Sequence, residues 1–404
     1  MLKKLSLAAL VAMGSMSVES ASTDLSEAIK GVTIGGYLRY RYTEDNTKTD
    51  GSSNHKNTTT NEYKAVLNMN VKASDTMTVH SRFVYLDSFT SNNTSKTDNA
   101  NPFNVQEAYL QYAANGVAVK AGRQALATPL SDHDDDYANG VLATYTTAGV
   151  TGAAGYFTNI SNASNNGTDV SNNLEVLAVI ANIDPVKAQA WFYNVDNSNG
   201  ETQSDGKDGY KAYFVDVTGA VSGVALKAQY AAKNPNVKED TADSTKTQKF
   251  FALAAIANVA NVNATAAYLN FGKNGATVAV GTKNADGLIA AGDILTDKIQ
   301  QNTTNDADEP LLADGSAYAL VLKTKVGQFT PGVQYVHATT KTMTNTTTGA
   351  RTKIKFNEYD LDLSYAYNKK LSFSGYYAIL KSDYDVANSD QTQTEARFEA
   401  KYSF

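Results

Sequence analysis

The sequence predicts an all-β fold: a transmembrane antiparallel up-and-down β-barrel of about eighteen strands, with sixteen as the alternative count. Three observations lead there. Long segments alternate apolar and polar residues; Gly (27) and Tyr (24) are plentiful against only 6 Pro and 1 Trp; and there is no Cys. The composition suits many strands joined by Gly/Asn turns. Without Cys an exported chain has no disulfides, no thiolate metal ligand and no thiol nucleophile, so its stability rests on architecture. No composition break or Pro-rich hinge divides the 404 residues, which favours one large repetitive fold.

The N-terminus, "MLKKLSLAALVAMGSMSVESASTD", places Lys3 and Lys4 before an apolar run and then small residues. This is the layout of a secretory signal peptide, expected over residues 1–22 with cleavage after Ser20 or Ser22. Residues 23–404 then form a single barrel domain. The net charge of −6 argues against a nucleic-acid partner, which would call for clustered Lys and Arg. No later segment reaches the roughly 18 consecutive apolar residues of a membrane helix.

The strands read one by one. In "NEYKAVLNMNVKA", Tyr63, Ala65, Leu67, Met69 and Val71 share a face, and Glu62, Lys64, Asn68 and Asn70 share the other with Val66. After a short turn, "TMTVHSRFVYLD" sets Met77, Val79, Phe83 and Tyr85 against Thr78, His80 and Arg82. Near the C-terminus "FNEYDLDLSYAYN" opposes Tyr359, Leu361, Leu363, Tyr365 and Tyr367 to Glu358, Asp360, Asp362 and Ser364. The final "EARFEAKYSF" alternates Glu395, Arg397, Glu399 and Lys401 with Ala396, Phe398, Ala400, Tyr402 and Phe404. Such segments match the roughly 9 to 11 residues of a tilted membrane strand. A soluble sandwich could alternate likewise. Aromatics gathered near strand ends, as in Tyr40 with Tyr42 and Tyr365 with Tyr367, favour the membrane barrel, as do short turns alternating with long polar loops. Long loops are expected near 44–60, 88–102, 126–138, 161–173, 196–208, 234–246, 273–315, 342–351 and 383–393. A barrel of that size encloses water, and its belt is covered by outer-membrane lipid.

On the lipid face an Arg or Lys near mid-membrane costs roughly 2 to 4 kcal/mol, so the charged face of each strand is assigned to the lumen. That puts Tyr37, Arg39 and Arg41 inside, with Leu38, Tyr40 and Tyr42 outside. Lys64, Arg82, Lys120, Arg123 and Arg397 extend a basic wall, and Glu107 faces in beside Tyr109.

The start "TDLSEAIKGVTIGGYLRYRYTEDN", the segment "VAVKAGRQAL" and the terminal "ARFEAKYSF" resemble the major outer-membrane porins of campylobacter-type bacteria and, more loosely, the substrate-specific outer-membrane porins. The resemblance implies a barrel of about eighteen strands, a homotrimer, and a third loop folded into the lumen. It also implies an acidic calcium site at the constriction, which this chain matches only by residue type.

In this map "SDHDDDYANG", residues 131–140, occupies the third long loop, and Asp132, Asp134, Asp135 and Asp136 become the acidic side of the pore constriction, facing Arg39, Arg41, Arg82 and Arg123. An EF-hand counted from Asp132 fails, because Tyr137 and Ala143 stand where Gly and Glu are needed. Transition-metal binding through His133 lacks companions, since His55, His80 and His337 are not at ligand spacing. A loose oxygen site for calcium at Asp132, Asp134 and Asp136 stays open, beside the alternative of no cofactor and a plain solvated loop. No Ser sits in a nucleophile setting, so no enzyme is expected. The function expected is passive diffusion of ions and small polar solutes, with mild cation preference. Two alternatives stand beside it: a substrate-selective channel guiding small anionic solutes along the basic wall, and a secreted or surface adhesin using loops such as "TKTMTNTTTGAR".

Overall fold

The structure, a computed structural model, describes residues 31–404 apart from 53–54, 93–95, 99–100, 163–171, 198–208, 236–245, 277, 281–284, 301–311, 343–350 and 386–388. The expected signal peptide, residues 1–22, lies outside the described residues. One closed antiparallel sheet contains β1 (Val32–Thr49), β2 (His55–Lys72), β3 (Met77–Asn92), β4 (Lys96–Asp98), β5 (Asn101–Ala114), β6 (Val117–Ala125), β7 (Asp136–Thr147), β8 (Val150–Asn162), β9 (Asn172–Ile183) and β10 (Val186–Asn197). It continues through β11 (Tyr210–Val221), β12 (Val224–Pro235), β13 (Gln248–Val259), β14 (Val262–Phe271), β15 (Leu312–Thr324), β16 (Phe329–Thr342), β17 (Lys353–Ala366), β18 (Leu371–Tyr384) and β19 (Gln391–Ser403). Setting aside the three-residue β4 leaves eighteen long strands, which decides against sixteen. Each long strand pairs with its sequence neighbour, β3 pairs with β5 past β4, and β1 pairs with β19 from Tyr37↔Ser403 to Thr49↔Gln391. Closure leaves no open edge, which is what lets a sheet cross a bilayer. Among the described residues no helix is long and apolar enough to cross a membrane; the crossing is made by strands.

Alternation decides the faces. Along β11, exposed Lys211, Tyr213, Val215 and Val217 interleave with buried Ala212, Phe214 and Asp216. Leu38 and Leu361 keep 55% and 58% of their surface open, and a continuous belt of such residues is stable only against lipid. In-register aromatic pairs band the belt: Tyr40–Tyr63, Phe192–Tyr213, Tyr268–Tyr318 and Tyr335–Tyr359, with ring centroids 5.1 to 5.4 Å apart. Near the short turns Phe329 packs on Tyr365 at 4.6 Å. Phe329 and Tyr335 lie on one strand about 20 Å apart at ordinary strand rise, which at the tilt of a barrel strand covers about 15 Å of the roughly 25 Å lipid belt.

One expectation needs correction. Strands run well past the expected loop boundaries: β1 and β2 are 18 residues each, so the first loop is residues 50–54 rather than 44–60. The hydrophobic alternation stops at the lipid boundary, but backbone pairing is indifferent to hydrophobicity and continues through Thr, Asn and Lys. The segment from 139 to 270 alternates only weakly because both its faces are largely apolar. Its inner face, with Phe157, Leu174, Tyr193, Phe214, Phe250 and Leu269, is buried against loops carried inside the barrel.

Candidate functional site

Two connections enter the barrel. The third outer loop, L3 (residues 126–135), and the seventh, L7 (residues 272–311), bond to each other and to strands on opposite sides of the wall. Val280 N–H donates to Leu130 O at 2.6 Å, Gly287 N–H to Pro129 O at 2.9 Å, and His133 N–H to the Asp286 carboxylate at 2.9 Å. Gln229 on β12 grips L7 with both ends of its amide, taking Ile289 N–H at 2.7 Å and giving to Gly287 O at 2.7 Å. Tyr210 on β11 donates to Val280 O at 2.8 Å. Across the barrel, Lys64 on β2 reaches Asp135 at 3.3 Å. A segment tied to β2 and β12 together lies in the interior. Buried Leu126, Leu130, Val278, Val280, Leu288 and Leu295 fill the space between these loops and the apolar wall. Each such side chain contributes about 1.5–3 kcal/mol on burial.

The far end of L7 is fixed by one carboxylate. Glu358 on β17, fully buried, accepts from Ile294 N–H at 2.6 Å and Leu295 N–H at 2.8 Å, at the start of the short helix α1 (Leu295–Gln300). Gly292 makes the approach feasible: its φ is +83°, and an added Cβ would sit 2.2 Å from Glu358 Oε2. Next to it, burial and the neighbouring Asp360 and Asp362 push Asp293 up to about 7, against the opposing pull of Lys323 and Arg397.

The acidic stretch is a self-capped turn. Asp132 Oδ1 accepts from Asp134 N–H at 3.0 Å and Asp135 N–H at 3.1 Å, while Asp136 Oδ2 takes Asp132 N–H at 2.8 Å. Burial first, then the charges of Asp135 and Asp286, push Asp132 up to about 6. Asp136 is not a loop residue as expected: it opens β7, where its neighbour Tyr137 pairs with Ala125. Arg39, Arg41, Arg82 and Arg397 turn to strand carboxylates instead of to the acids of the loop. Arg39 is hydrogen-bonded to Glu62, Arg41 pairs with Glu399 at 2.8 Å, Arg397 with Glu395 at 2.9 Å, and Arg82 lies 4.0 Å from Glu107. The reason is proximity in the sheet: a carboxylate on the same strand or the next one lies closer than a loop crossing the lumen.

Aromatic rings lie under several wall cations, Arg397 of the pairs above among them. Lys120 lies over Tyr109 at 5.1 Å, Lys401 over Tyr37 at 4.3 Å, Arg397 over Tyr376 at 5.0 Å and Arg123 over Tyr137 at 4.7 Å. Strict alternation cannot put both Lys120 and Arg123 on one face. The ladders of β6 run unbroken through Gly122, and it is β7 that is irregular, with a register shift between Tyr137 and Asn139 beside the Arg123–Tyr137 contact. A bulge in β5 turns Gln106 inward beside Glu107, where it accepts from Arg82 Nε at 2.9 Å. Sequence reasoning missed Gln106, Gln229, Glu358 and Asp293. Only the inward position of Glu358 is legible in the alternation of β17.

Asp132 and Asp136 spend oxygens on backbone N–H groups, and among the described residues no group of three or more His, Cys, Asp or Glu converges to hold a metal ion. The described residues do not fit such a site.

A closed eighteen-stranded barrel with a lipid belt outside and loops folded within is the architecture of an outer-membrane porin, a channel rather than an enzyme. The chain belongs to the Campylobacter major outer membrane protein family, whose profile it matches over residues 1–404. It is thus a protein of the bacterial outer membrane. Among solved structures it is similar to OccK7 (OpdD) of Pseudomonas aeruginosa, with a TM-score of 0.68 and 13% identity over 92% of this chain and 98% of that one. It is also similar to OpdK of Pseudomonas aeruginosa, at 0.61 and 13% over 92% and 99%. OprD of the same organism aligns at 0.57 and 14% over 92% and 94%. No curated protein matches the chain.

Proposed function

We propose that this porin passes ions and small hydrophilic solutes by passive diffusion through its water-filled lumen, with mild cation preference, and that it works as a homotrimer. The observation that carries the ion preference is an imbalance. Arg39, Arg41 and Arg397 are engaged by strand carboxylates, whereas L3 itself brings in Asp132, Asp134 and Asp135 and no Lys or Arg, with Asp135 met by Lys64 of β2 at 3.3 Å. Confined charge of one sign concentrates the opposite ion. The same pairing weighs against a channel that guides small anions along a bare basic wall. The trimer rests on the family likeness alone.

Single-channel recording in a salt gradient tests this reading, before and after changing Asp132, Asp134, Asp135 and Asp136 to Asn. Asn keeps the acceptor oxygens of the turn and removes the charge, so the reversal potential is expected to move toward zero. An unchanged reversal potential removes the loop acids from the conducting path, and absence of conductance sinks the porin function. Unheated migration at the mass of a single chain after mild extraction would refute the trimer.

A further inference from the structure

The polar side of the lumen has a charge pattern that neither a cation filter nor an anion ladder requires. From β19 through β1, β2 and β3 to β5, each arginine of the wall has a carboxylate neighbour: Arg397 with Glu395, Arg41 with Glu399, Arg39 with Glu62, Arg82 with Glu107. Arg41 and Arg397 are the most open to the passage, with side-chain exposures of 28% and 33%, while Arg39 and the Arg82–Glu107 pair keep 10% to 17%. The wall is therefore a row of fixed dipoles.

We propose that this row selects zwitterionic solutes, of the amino-acid or short-peptide kind, over anions and over neutral solutes of equal size; the inference rests on the channel function proposed above. A monoanion that approaches Arg41 competes with Glu399 for one guanidinium and leaves that carboxylate unpaired and repelling it. A zwitterion replaces both partners. Its carboxylate takes the guanidinium while its ammonium takes the glutamate, so no charge in the site is left alone. Neighbouring strands lie about 4.8 Å apart, which suits a solute whose two charges are separated by a similar or somewhat larger distance. Repetition from strand to strand lets such a solute move by exchanging one pair for the next. A neutral solute gains nothing from the row.

Purified full-length protein in liposomes provides the test, through uptake of labelled glycylglycine, N-acetylglycinate and N-acetylglycinamide, which are zwitterion, anion and neutral analogue. Glycylglycine is expected to enter roughly two- to fivefold faster than either, the scale of a partly exposed ion pair. The variant Glu62→Gln with Glu399→Gln bares Arg39 and Arg41, and its preference is expected to move to N-acetylglycinate. Equal entry of glycylglycine and N-acetylglycinamide through channels that conduct potassium chloride overturns the inference and leaves the porin function standing. Loss of potassium chloride conductance in the wild type strikes the porin function instead. Should the double variant not fold, the wild-type comparison decides by itself.

Discussion

Arg41 donates through Nε and Nη2 to one oxygen of Glu399, at 3.0 and 2.8 Å, across 358 positions of sequence. The pair joins the first strand to the last and so sits on the seam where the barrel closes. Both side chains are partly exposed, which limits what the contact stabilises to about 0.2–1 kcal/mol, more where the geometry is bidentate. A double-mutant cycle with Arg41→Ala and Glu399→Ala should return a coupling of about 1 kcal/mol. The measurement is denaturant unfolding followed by heat-modifiable migration. Additive single effects would show that the seam is held by its backbone ladder alone.

Gly292 against Glu358 gives a sharper expectation. Gly292→Ala adds a methyl group where 2.2 Å separates it from a carboxylate oxygen, on a backbone of positive φ. The clamp on Ile294 and Leu295 must give way, while the apolar seat of L7 and the barrel itself remain. Open-channel current noise should rise several-fold with unchanged heat-modifiable migration. Wild-type noise in the variant would mean that Glu358 does not restrain L7.

The third expectation concerns pH. Asp293 is held up at about 7, so its neutral form is the one the docked loop favours. A raised carboxylate contributes its stability fully below its ordinary value near 3.9 and loses it as pH rises through the folded value. L7 should therefore be seated most firmly in acid and loosen progressively between about pH 4 and pH 7. Asp132, pushed up to about 6, adds a similar trend at lower pH. Current noise recorded from pH 5 to pH 8.5 reads this out, and Asp293→Asn should flatten the upper part of the curve. A fall in noise on raising the pH would contradict the sign.

Much of the architecture is legible without coordinates because a strand's two faces are written in alternate letters. Glu62, Arg39, Arg41, Arg82, Glu107 and Arg397 all declare their inward direction through apolar neighbours such as Leu38 and Phe398. Where alternation breaks, reading fails: a register shift in β7 lies beside the Arg123–Tyr137 contact, and the bulge in β5 turns Gln106. Loop ends were misplaced for a different reason, since Thr, Asn and Lys extend a ladder whose hydrogen bonds belong to the backbone.

Membrane barrel and the direction of most wall charges thus follow from the order of residues, a period-two property that needs only neighbours in sequence, while eighteen strands rather than sixteen is a fact of the closed sheet. Which charge meets which does not. Arg41 finds Glu399 through the register of closure, Asp135 finds Lys64 across the lumen, and L7 finds Gln229 and Glu358 once the wall stands around it. Those meetings depend on shear, on curvature and on where an interior loop comes to rest. Such distances are set by the closed sheet as a whole, and no short stretch of sequence contains them.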